Sequence, residues 1–180
     1  MKIYSTRHGQ TDYNSRDIIL GTTDAELNET GIQQAHELAD SIRNSDKIKI
    51  DLIVASPMKR AVKTAQIIAE TNNLEIVTDD RLREWNYGEY EGKHRSACGF
   101  AENKLQFGCA MGDNGESLLK LAHRVYSAID DIREKYFDKN VLVVSHGGVC
   151  RVIETYFNNM TAEQFGSWFM GNCELIEYNI

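Results

Sequence analysis

The chain has 180 residues, of which 42% are hydrophobic and 26% charged, and its formal net charge is -7. This length and composition are typical of a globular protein, and we predict a single domain over residues 1–180. The negative charge argues against general binding to nucleic acid or to an anionic membrane, because most of the surface would repel phosphate groups. It does not exclude a small anionic substrate, which a local group of cations in a cleft can hold.

Neither a secretory leader nor a membrane span is predicted. The first residues lack the apolar core of a signal peptide, and no apolar run approaches the length needed to cross a bilayer. The four cysteines, at positions 98, 109, 150 and 173, include no C-x-x-C pair, so neither a zinc site nor a redox motif is indicated. These features predict a cytoplasmic protein with reduced thiols.

Short β-rich runs alternate with longer helical patterns, which predicts an α/β fold with a mostly parallel sheet. The run 141–144 is apolar throughout, as expected of a central strand that is covered on both faces. The predicted strands span residues 2–6, 51–55, 75–78, 141–145 and 174–179.

Between the strands, apolar residues that recur every three or four positions predict helices. The first begins near Asn28 or Thr30, either of which can cap it, and Ile32 is one of its predicted buried residues. The second follows Pro57, the only proline, which suits the first turn of a helix. Its predicted inner face consists of Ala61, Ala65, Ile68 and Ala69.

Two further helices and one irregular stretch follow. A long helix is predicted from about Glu116 to Tyr136, and another starts near Gly148. Residues 93–115 show no regular period, and loops of this length in a compact domain are usually functional or mobile. We expect this loop to cover the site. Since it carries few cations, it favours a substrate with one phosphate and a modest polar or apolar remainder. The side chains singled out in the loop are Lys93, Arg95, Phe100, Lys104, Phe107 and Met111.

Three strand-to-helix junctions carry residues that suit phosphate. Ligands of an open parallel sheet bind outside the carboxyl ends of its strands, so these junctions should meet at one site. The N-termini of the helices that follow would also favour an anion there. The three segments are Arg7-His8-Gly9, residues 56–60, and His146-Gly147-Gly148.

The residue types at these junctions indicate phosphoryl chemistry. Arg7 and Arg60 can each donate paired hydrogen bonds to phosphate oxygens. An imidazole among cations is held in its neutral form, which is the form that can attack phosphorus. Cationic donors around the transferring group can stabilise it without a metal, so neither a metal nor a cofactor is predicted. The adjacent glycines allow the backbone and the substrate to approach closely.

Other polar residues have no such pattern. His36, His94 and His123 belong to no motif that would supply catalytic partners, and we interpret them as ordinary surface or structural residues. The acidic pair Asp79-Asp80 is interpreted as the solvated end of a strand rather than a metal site.

Several motifs then follow one another along the chain. They are Thr6-Arg7-His8-Gly9-Gln10-Thr11 with Asn14, residues 21–35, Ser56-Pro57-x-x-Arg60-Ala61-x-x-Thr64-Ala65, Leu82-Arg83-Glu84-x-x-x-Gly88-x-x-Glu91-Gly92, Gly115-Glu116-Ser117, and Val144-Ser145-His146-Gly147-Gly148. With these motifs the chain resembles the histidine phosphatase superfamily, also called the phosphoglycerate mutase-like family, over nearly its whole length. The resemblance implies the three-layer αβα sandwich of that family.

The resemblance also implies a role for each motif residue. His8 would be the nucleophile and phosphate carrier, and His146 would stabilise the transition state. Glu84 would protonate the leaving alkoxide and then activate water, since a carboxylate beside a phosphate dianion is more readily protonated. The phosphoryl oxygens would be held by Arg7, Asn14, Arg60, His146 and Gly147.

Within the family, hydrolysis is favoured over phosphoryl return. Mutases usually follow the acid with Arg-His-Tyr-Gly and carry longer insertions, whereas residues 84–88 here read Glu-Trp-Asn-Tyr-Gly. Residues 88–92 are similar to those of broad-specificity and α-ribazole phosphatases. We therefore predict a phosphatase, monomeric or homodimeric, that acts on a small phosphorylated metabolite. A cofactor-dependent phosphoglycerate mutase and an inactive phospho-ligand-binding module are the alternatives; the complete set of His8, Arg60, Glu84 and His146 argues against the second.

Overall fold

Five strands form one sheet in the computed structural model, which describes residues 1–180. The strands are β1 (Lys2–Arg7), β2 (Leu52–Ala55), β3 (Glu75–Thr78), β4 (Val141–Ser145) and β5 (Leu175–Asn179). Their order across the sheet is β3-β2-β4-β1-β5. The first four are parallel to one another, and β5 runs antiparallel to β1 at the edge. The predicted strands agree with these bounds to within one residue at each end.

Seven α-helices connect and flank the strands. They are α1 (Asp12–Ser15), α2 (Glu29–Arg43), α3 (Lys59–Asn72), α4 (Phe100–Asn103), α5 (Leu118–Lys135), α6 (Gly147–Phe157) and α7 (Ala162–Ser167). The four long helices were predicted, whereas the short helices α1, α4 and α7 are too brief to show a helical period. None of the helices combines the length and the apolar character that crossing a membrane requires.

The helices cover both faces of the sheet. Because side chains of a strand point alternately to opposite faces, β4 contributes to two cores. Val141 and Val143 pack with residues of α5 and α6, whereas Leu142 and Val144 pack with residues of α2 and α3. All four side chains are fully buried. The three-layer αβα sandwich with a mostly parallel sheet is thereby confirmed.

Two details of the helices differ from the sequence prediction. Asn28 caps α2 by accepting a hydrogen bond from the Gly31 N–H, but Ile32 is 36% exposed rather than buried. The buried stripe of α2 runs through Gly31, Ala35 and Leu38, and Ile32 lies one position around the helix from it. Pro57 lies outside α3, because Met58 is the extended N-cap residue and the first helical residue is Lys59.

Two glycines allow the segment after β1 to approach the start of α2. A Cβ atom on Gly31 would lie 2.1 Å from the Gln10 carbonyl oxygen, and one on Gly9 would lie 2.3 Å from the Gly31 carbonyl oxygen. Both clashes involve backbone atoms, which cannot move aside as a flexible side chain can. The backbone of Gly9 and Gln10 is therefore held against the backbone of Gly31. This contact fixes the chain directly after His8, the predicted nucleophile.

Candidate active site

The register of the three central strands places the predicted junctions at one edge of the sheet. β1 and β4 pair Arg7 with Ser145, and β2 is aligned with β4 at the same level. The carboxyl ends of parallel strands form the usual ligand-binding edge of such a sheet. The rings of His8 and His146 lie there with their centroids 5.2 Å apart. The residues that directly follow the three strands are His8, Ser56 and His146.

His8 is held as a neutral imidazole. It is 3% exposed, and its Nδ1 lies 2.7 Å from the Gly9 carbonyl oxygen, which can only accept a hydrogen bond. This contact assigns the ring proton to Nδ1 and leaves a lone pair on Nε2. Burial, followed by the charges of Arg60 and Arg7, holds the pKa of His8 well below its ordinary value. Nε2 is therefore an unprotonated nitrogen at neutral pH.

The two predicted arginines approach His8 from different sides. Arg60 is fully buried and donates from Nε to His8 Nε2 over 3.2 Å, while its two Nη atoms donate to backbone carbonyls. Arg7 donates from Nη1 to the Met170 carbonyl oxygen over 3.1 Å, and its buried Nε has no partner in the protein. Burial lowers the pKa of Arg7 to about 10, so it remains a cation at neutral pH.

His146 presents a second unpartnered donor. Its Nε2 lies 2.7 Å from Ser56 Oγ, and Ser56 Oγ accepts a hydrogen bond from the Met58 N–H. Since Nε2 is the one acceptor within reach of the Ser56 hydroxyl proton, we assign that hydroxyl as the donor to Nε2 and the ring proton to Nδ1. Nδ1 is buried without a partner. A buried N–H that finds no acceptor in the protein is costly, and a bound anion would satisfy it. Burial, then Arg60 and His8, lower the pKa of this ring as well.

Glu84 is fixed by backbone donors. The side chain is 6% exposed, and Oε1 accepts hydrogen bonds from the Trp85 and Gly148 N–H groups over 2.8 and 3.1 Å. A Cβ atom on Gly148 would lie 2.7 Å from Oε1, so a glycine is needed at the start of α6 for this contact. The carboxyl group lines the same cleft as His8.

Five of the seven predicted site residues line the cleft, and the other two lie behind His8. Arg60 and His146 are fully buried beside the His8 ring. Asn14 uses its Oδ1 to accept from the Thr11 N–H, which leaves its Nδ2 without a partner in the protein. The predicted residues that line the cleft are Arg7, His8, Asn14, Glu84 and Gly147.

The loop over residues 93–115 covers the cleft with part of its length. Arg95, Phe100 and Lys104 line it, as expected. Phe107 and Met111 do not: Phe107 is 65% exposed beside a separate apolar groove, and Met111 is buried in the core. Both are apolar residues of the same irregular stretch as Phe100, and the sequence alone does not separate them from a side chain that lines the cleft.

Sequence reasoning missed several residues of the site. Ser56 lies in a recognised motif, but nothing in the motif indicates that it would orient His146. Gly148 and Tyr87 lie in motifs described above but were not predicted to line the cleft, and the other cleft residues come from segments with no chemical pattern. These additional lining residues are Ile19, Leu20, Tyr87, Gly148, Arg151, Phe169 and Met170.

A neutral imidazole, two guanidiniums and buried unpartnered donors meet at the edge of a parallel sheet, an arrangement typical of an α/β enzyme that handles phosphoryl groups. The chain belongs to the histidine phosphatase superfamily (branch 1), whose family model matches residues 3–180. The resemblance read from the motifs is thereby confirmed, and so is the class of enzyme, a phosphoric monoester hydrolase.

Relatives with sequence or structural similarity carry phosphatase and mutase-like names. A putative phosphoserine phosphatase 2 of Hydrogenobacter thermophilus is 32% identical over 99% of this chain and 89% of its own. The phosphoglycerate mutase-like protein 4 of Arabidopsis thaliana is 38% identical over 83% of this chain and 68% of its own. A phosphoserine phosphatase of Entamoeba histolytica, solved in complex with 3-phosphoglyceric acid, superposes with a TM-score of 0.85 at 28% identity. That superposition covers 98% of this chain and 89% of the other.

The contact between Ser56 and His146 gives a testable prediction. We expect Ser56→Ala to lower kcat about 10- to 100-fold, because His146 Nε2 would lose its donor and the tautomer would no longer be fixed. Steady-state kinetics with an aryl phosphate measure this loss, and urea unfolding measures any change in stability. Ser145→Ala is the matched control, since Ser145 is equally buried but contacts Cys150 Sγ instead. An equal loss of kcat in both variants would contradict the orienting role.

Proposed function

We propose that the protein hydrolyses small phosphate monoesters through a phosphohistidine intermediate on His8, with neither a metal nor a cofactor. The observation that carries this proposal is the lone pair on the neutral His8 Nε2, in a site with two cationic arginines. The buried unpartnered donors Arg7 Nε and His146 Nδ1 support it further, because a phosphoryl group has oxygens for both.

In the first step, His8 Nε2 attacks phosphorus and the bond to the ester oxygen breaks. Glu84 acts as the general acid and gives a proton to that oxygen, so the product leaves as a neutral alcohol. The Arg60 Nε–H, which donates to Nε2 in the free site, turns to a phosphoryl oxygen. The phosphorylated ring carries a positive charge, and the Gly9 carbonyl oxygen at Nδ1–H stabilises it.

In the second step, water attacks phosphorus and the nitrogen–phosphorus bond breaks. Glu84, now a carboxylate, takes a proton from that water, and inorganic phosphate leaves. His8 recovers the lone pair on Nε2, and Glu84 recovers its proton. The Trp85 and Gly148 N–H groups hold the carboxyl group in one place for both transfers.

The proposed enzyme also has an expected location, substrate class and oligomeric state. The four cysteines are free thiols, which supports the predicted cytoplasmic location. The predicted substrate is a small phosphorylated metabolite rather than a nucleic acid or a membrane lipid, and the protein is proposed to act as a monomer or a homodimer. The net charge of -7 supports the exclusion of polyanions.

The proposal predicts metal-independent turnover. We expect release of inorganic phosphate from p-nitrophenyl phosphate to be unchanged after treatment with EDTA, because cationic side chains occupy the role that Mg²⁺ has in other phosphoryl-transfer enzymes. No group of three or more His, Cys, Asp or Glu side chains is arranged to hold a metal. Loss of activity that returns with added Mg²⁺ would refute the mechanism.

The same preparation distinguishes hydrolysis from the mutase reaction. With 3-phosphoglycerate, a phosphatase releases inorganic phosphate and glycerate, whereas a mutase returns the phosphoryl group to a second hydroxyl and accumulates 2-phosphoglycerate. We expect phosphate release to dominate, since the sequence lacks the arginine that mutases usually carry after the acidic residue. Interconversion of the two phosphoglycerates without phosphate release would favour the mutase.

A further inference from the structure

Arg124 of α5 is a cationic side chain that the phosphoryl chemistry described above does not use. It does not line the cleft, yet its guanidinium makes five hydrogen bonds within the protein. Nη1 donates to the carbonyl oxygens of Arg81 and Arg83, each over 2.6 Å, and Nη2 donates to that of Glu84 over 3.1 Å. One side chain therefore holds the backbone of the segment that carries the proposed general acid.

Two of these carbonyl groups have no other donor in the protein. After a short 3₁₀ helix, Asp80–Leu82, the chain passes through Arg83 and Glu84 outside any helix or strand. No backbone N–H and no other side chain donates to the carbonyl oxygen of Arg83 or of Glu84. Because Glu84 is buried, its carbonyl group would lose its one partner in the protein if Arg124 were removed.

Glu116 holds the guanidinium of Arg124 in this position. Its two carboxylate oxygens accept from Arg124 Nε and Nη2 over 2.8 and 2.9 Å, a paired geometry that a guanidinium matches and an ammonium group does not. The backbone of Glu116 also binds the residues that follow Glu84. Its N–H donates to the Asn86 carbonyl oxygen, and its carbonyl oxygen accepts from Trp85 Nε1. The Arg124–Glu116 pair therefore attaches the chain on both sides of Glu84.

The place of the Glu84 carboxyl group depends on this backbone. Its Oε1 also accepts from the Gly148 N–H at the start of α6, so the carboxyl group lies between its own segment and α6. Proton transfer requires the donor to lie within hydrogen-bond reach of the leaving oxygen, and a small displacement is costly. His8 and Arg60 make no hydrogen bond to the segment. A shift of the segment should therefore affect the proton transfer more than the nucleophilic attack.

We propose that Arg124 is a positioning residue for this proton transfer, and that with Glu116 it fixes the backbone that places the Glu84 carboxyl group at the leaving oxygen. This inference rests on the proposed general-acid role of Glu84 and extends it to a side chain outside the cleft. It predicts a selective defect. Loss of the Arg124 contacts should slow substrates whose leaving group needs a proton, whereas a general loss of stability would slow all substrates alike.

Phenyl phosphate and p-nitrophenyl phosphate test the inference, because they differ by one nitro group and phenolate is the more basic leaving group. We expect Arg124→Lys to lower the ratio of kcat/KM for phenyl phosphate to that for p-nitrophenyl phosphate by about fivefold. The lysine keeps a positive charge beside Glu116 but lacks the planar fork that reaches the carbonyl oxygens. The double variant Arg124→Met/Glu116→Gln, which leaves no unpaired carboxylate, should lower the ratio at least as much.

Arg81→Gln is the matched control. The Arg81 side chain joins the same segment to α5 through Ser127 and Asp131, but it makes no contact with Glu84. This variant should leave the ratio unchanged even where urea unfolding shows a loss of stability. In the Glu84→Gln protein, addition of Arg124→Lys should also leave the ratio unchanged, because no carboxylic acid remains to be positioned.

The outcomes separate this inference from the function on which it rests. If Glu84→Gln lowers the ratio and neither Arg124 variant does, or if Arg81→Gln lowers it equally, the positioning role is wrong while the mechanism stands. A further fall when Arg124→Lys is added to Glu84→Gln also overturns it. If Glu84→Gln itself leaves the ratio unchanged, the general-acid role fails and this inference fails with it. Absence of turnover of both aryl phosphates by the wild-type protein refutes the phosphatase function.

Discussion

His8→Ala should abolish the covalent intermediate and lower turnover on the order of 10⁴-fold or more, because no neighbouring group can replace the nucleophile. His146 cannot take over. Its Nδ1 carries the proton, its Nε2 is occupied by the Ser56 hydroxyl, and its ring does not line the cleft, whereas His8 does. The variant should remain folded, since removal of the ring costs two hydrogen bonds, with Gly9 and Arg60, and the edge contact with the His146 ring.

The intermediate can be trapped by rapid acid-free quenching during turnover of a ³²P-labelled monoester. The label should be labile in acid and stable in alkali, as expected of a phosphoramidate, and should map to the peptide that contains His8. His36→Ala is the control and should retain label and turnover, because His36 is an exposed residue of α2 that does not line the cleft. Label on His146, or near wild-type turnover in His8→Ala, would contradict the assigned roles while leaving the family membership intact.

Much of the fold could be predicted because its signals are local. The strand 141–145 was recognisable from an unbroken apolar run, and α3 and α5 from their apolar periods, since burial on one face leaves a regular pattern. The antiparallel direction of β5 was not predicted, because a short strand at the sheet edge carries the same residue pattern in either direction. The exposure of Ile32 shows the same limit at the level of one residue. Whether a hydrophobic residue next to a buried stripe is itself buried depends on how far the neighbouring helix extends over it, and the sequence does not show this.

The residues of the candidate site also fall into those that the sequence could predict and those that it could not. The residues that begin or end predicted elements could be placed together from topology alone, as with His8 and His146. What the sequence could not show is which side chains from other segments complete the cleft. Arg151 lies one turn into α6, and Lys104 follows a short helix in a loop without period. The sequence of the loop contains few cations. Only the folded chain brings Arg151 to the same cleft as Arg95 and Lys104.

Glu84→Gln should separate substrates by the basicity of their leaving groups. An alkoxide needs a proton as it leaves, so kcat/KM for an alkyl phosphate should fall by about 10²- to 10⁴-fold. A nitrophenolate leaves without a proton, so kcat/KM for p-nitrophenyl phosphate should fall by less than about tenfold. The comparison uses kcat/KM rather than kcat, because kcat also contains the hydrolysis of phosphohistidine, in which Glu84 is the proposed base.

The substitution is well suited to this test because it preserves the surroundings. The Gln side-chain oxygen can still accept from the Trp85 and Gly148 N–H groups, as Glu84 Oε1 does, so the fold and the position of the group should persist. Glu70→Gln, an exposed residue of α3 outside the cleft, should leave both values unchanged. If Glu84→Gln lowers kcat/KM equally for the two substrates, Glu84 does not protonate the leaving group, and its contribution is to position the phosphoryl group. A selective loss with the alkyl substrate would identify it as the general acid, because only that role depends on the leaving group.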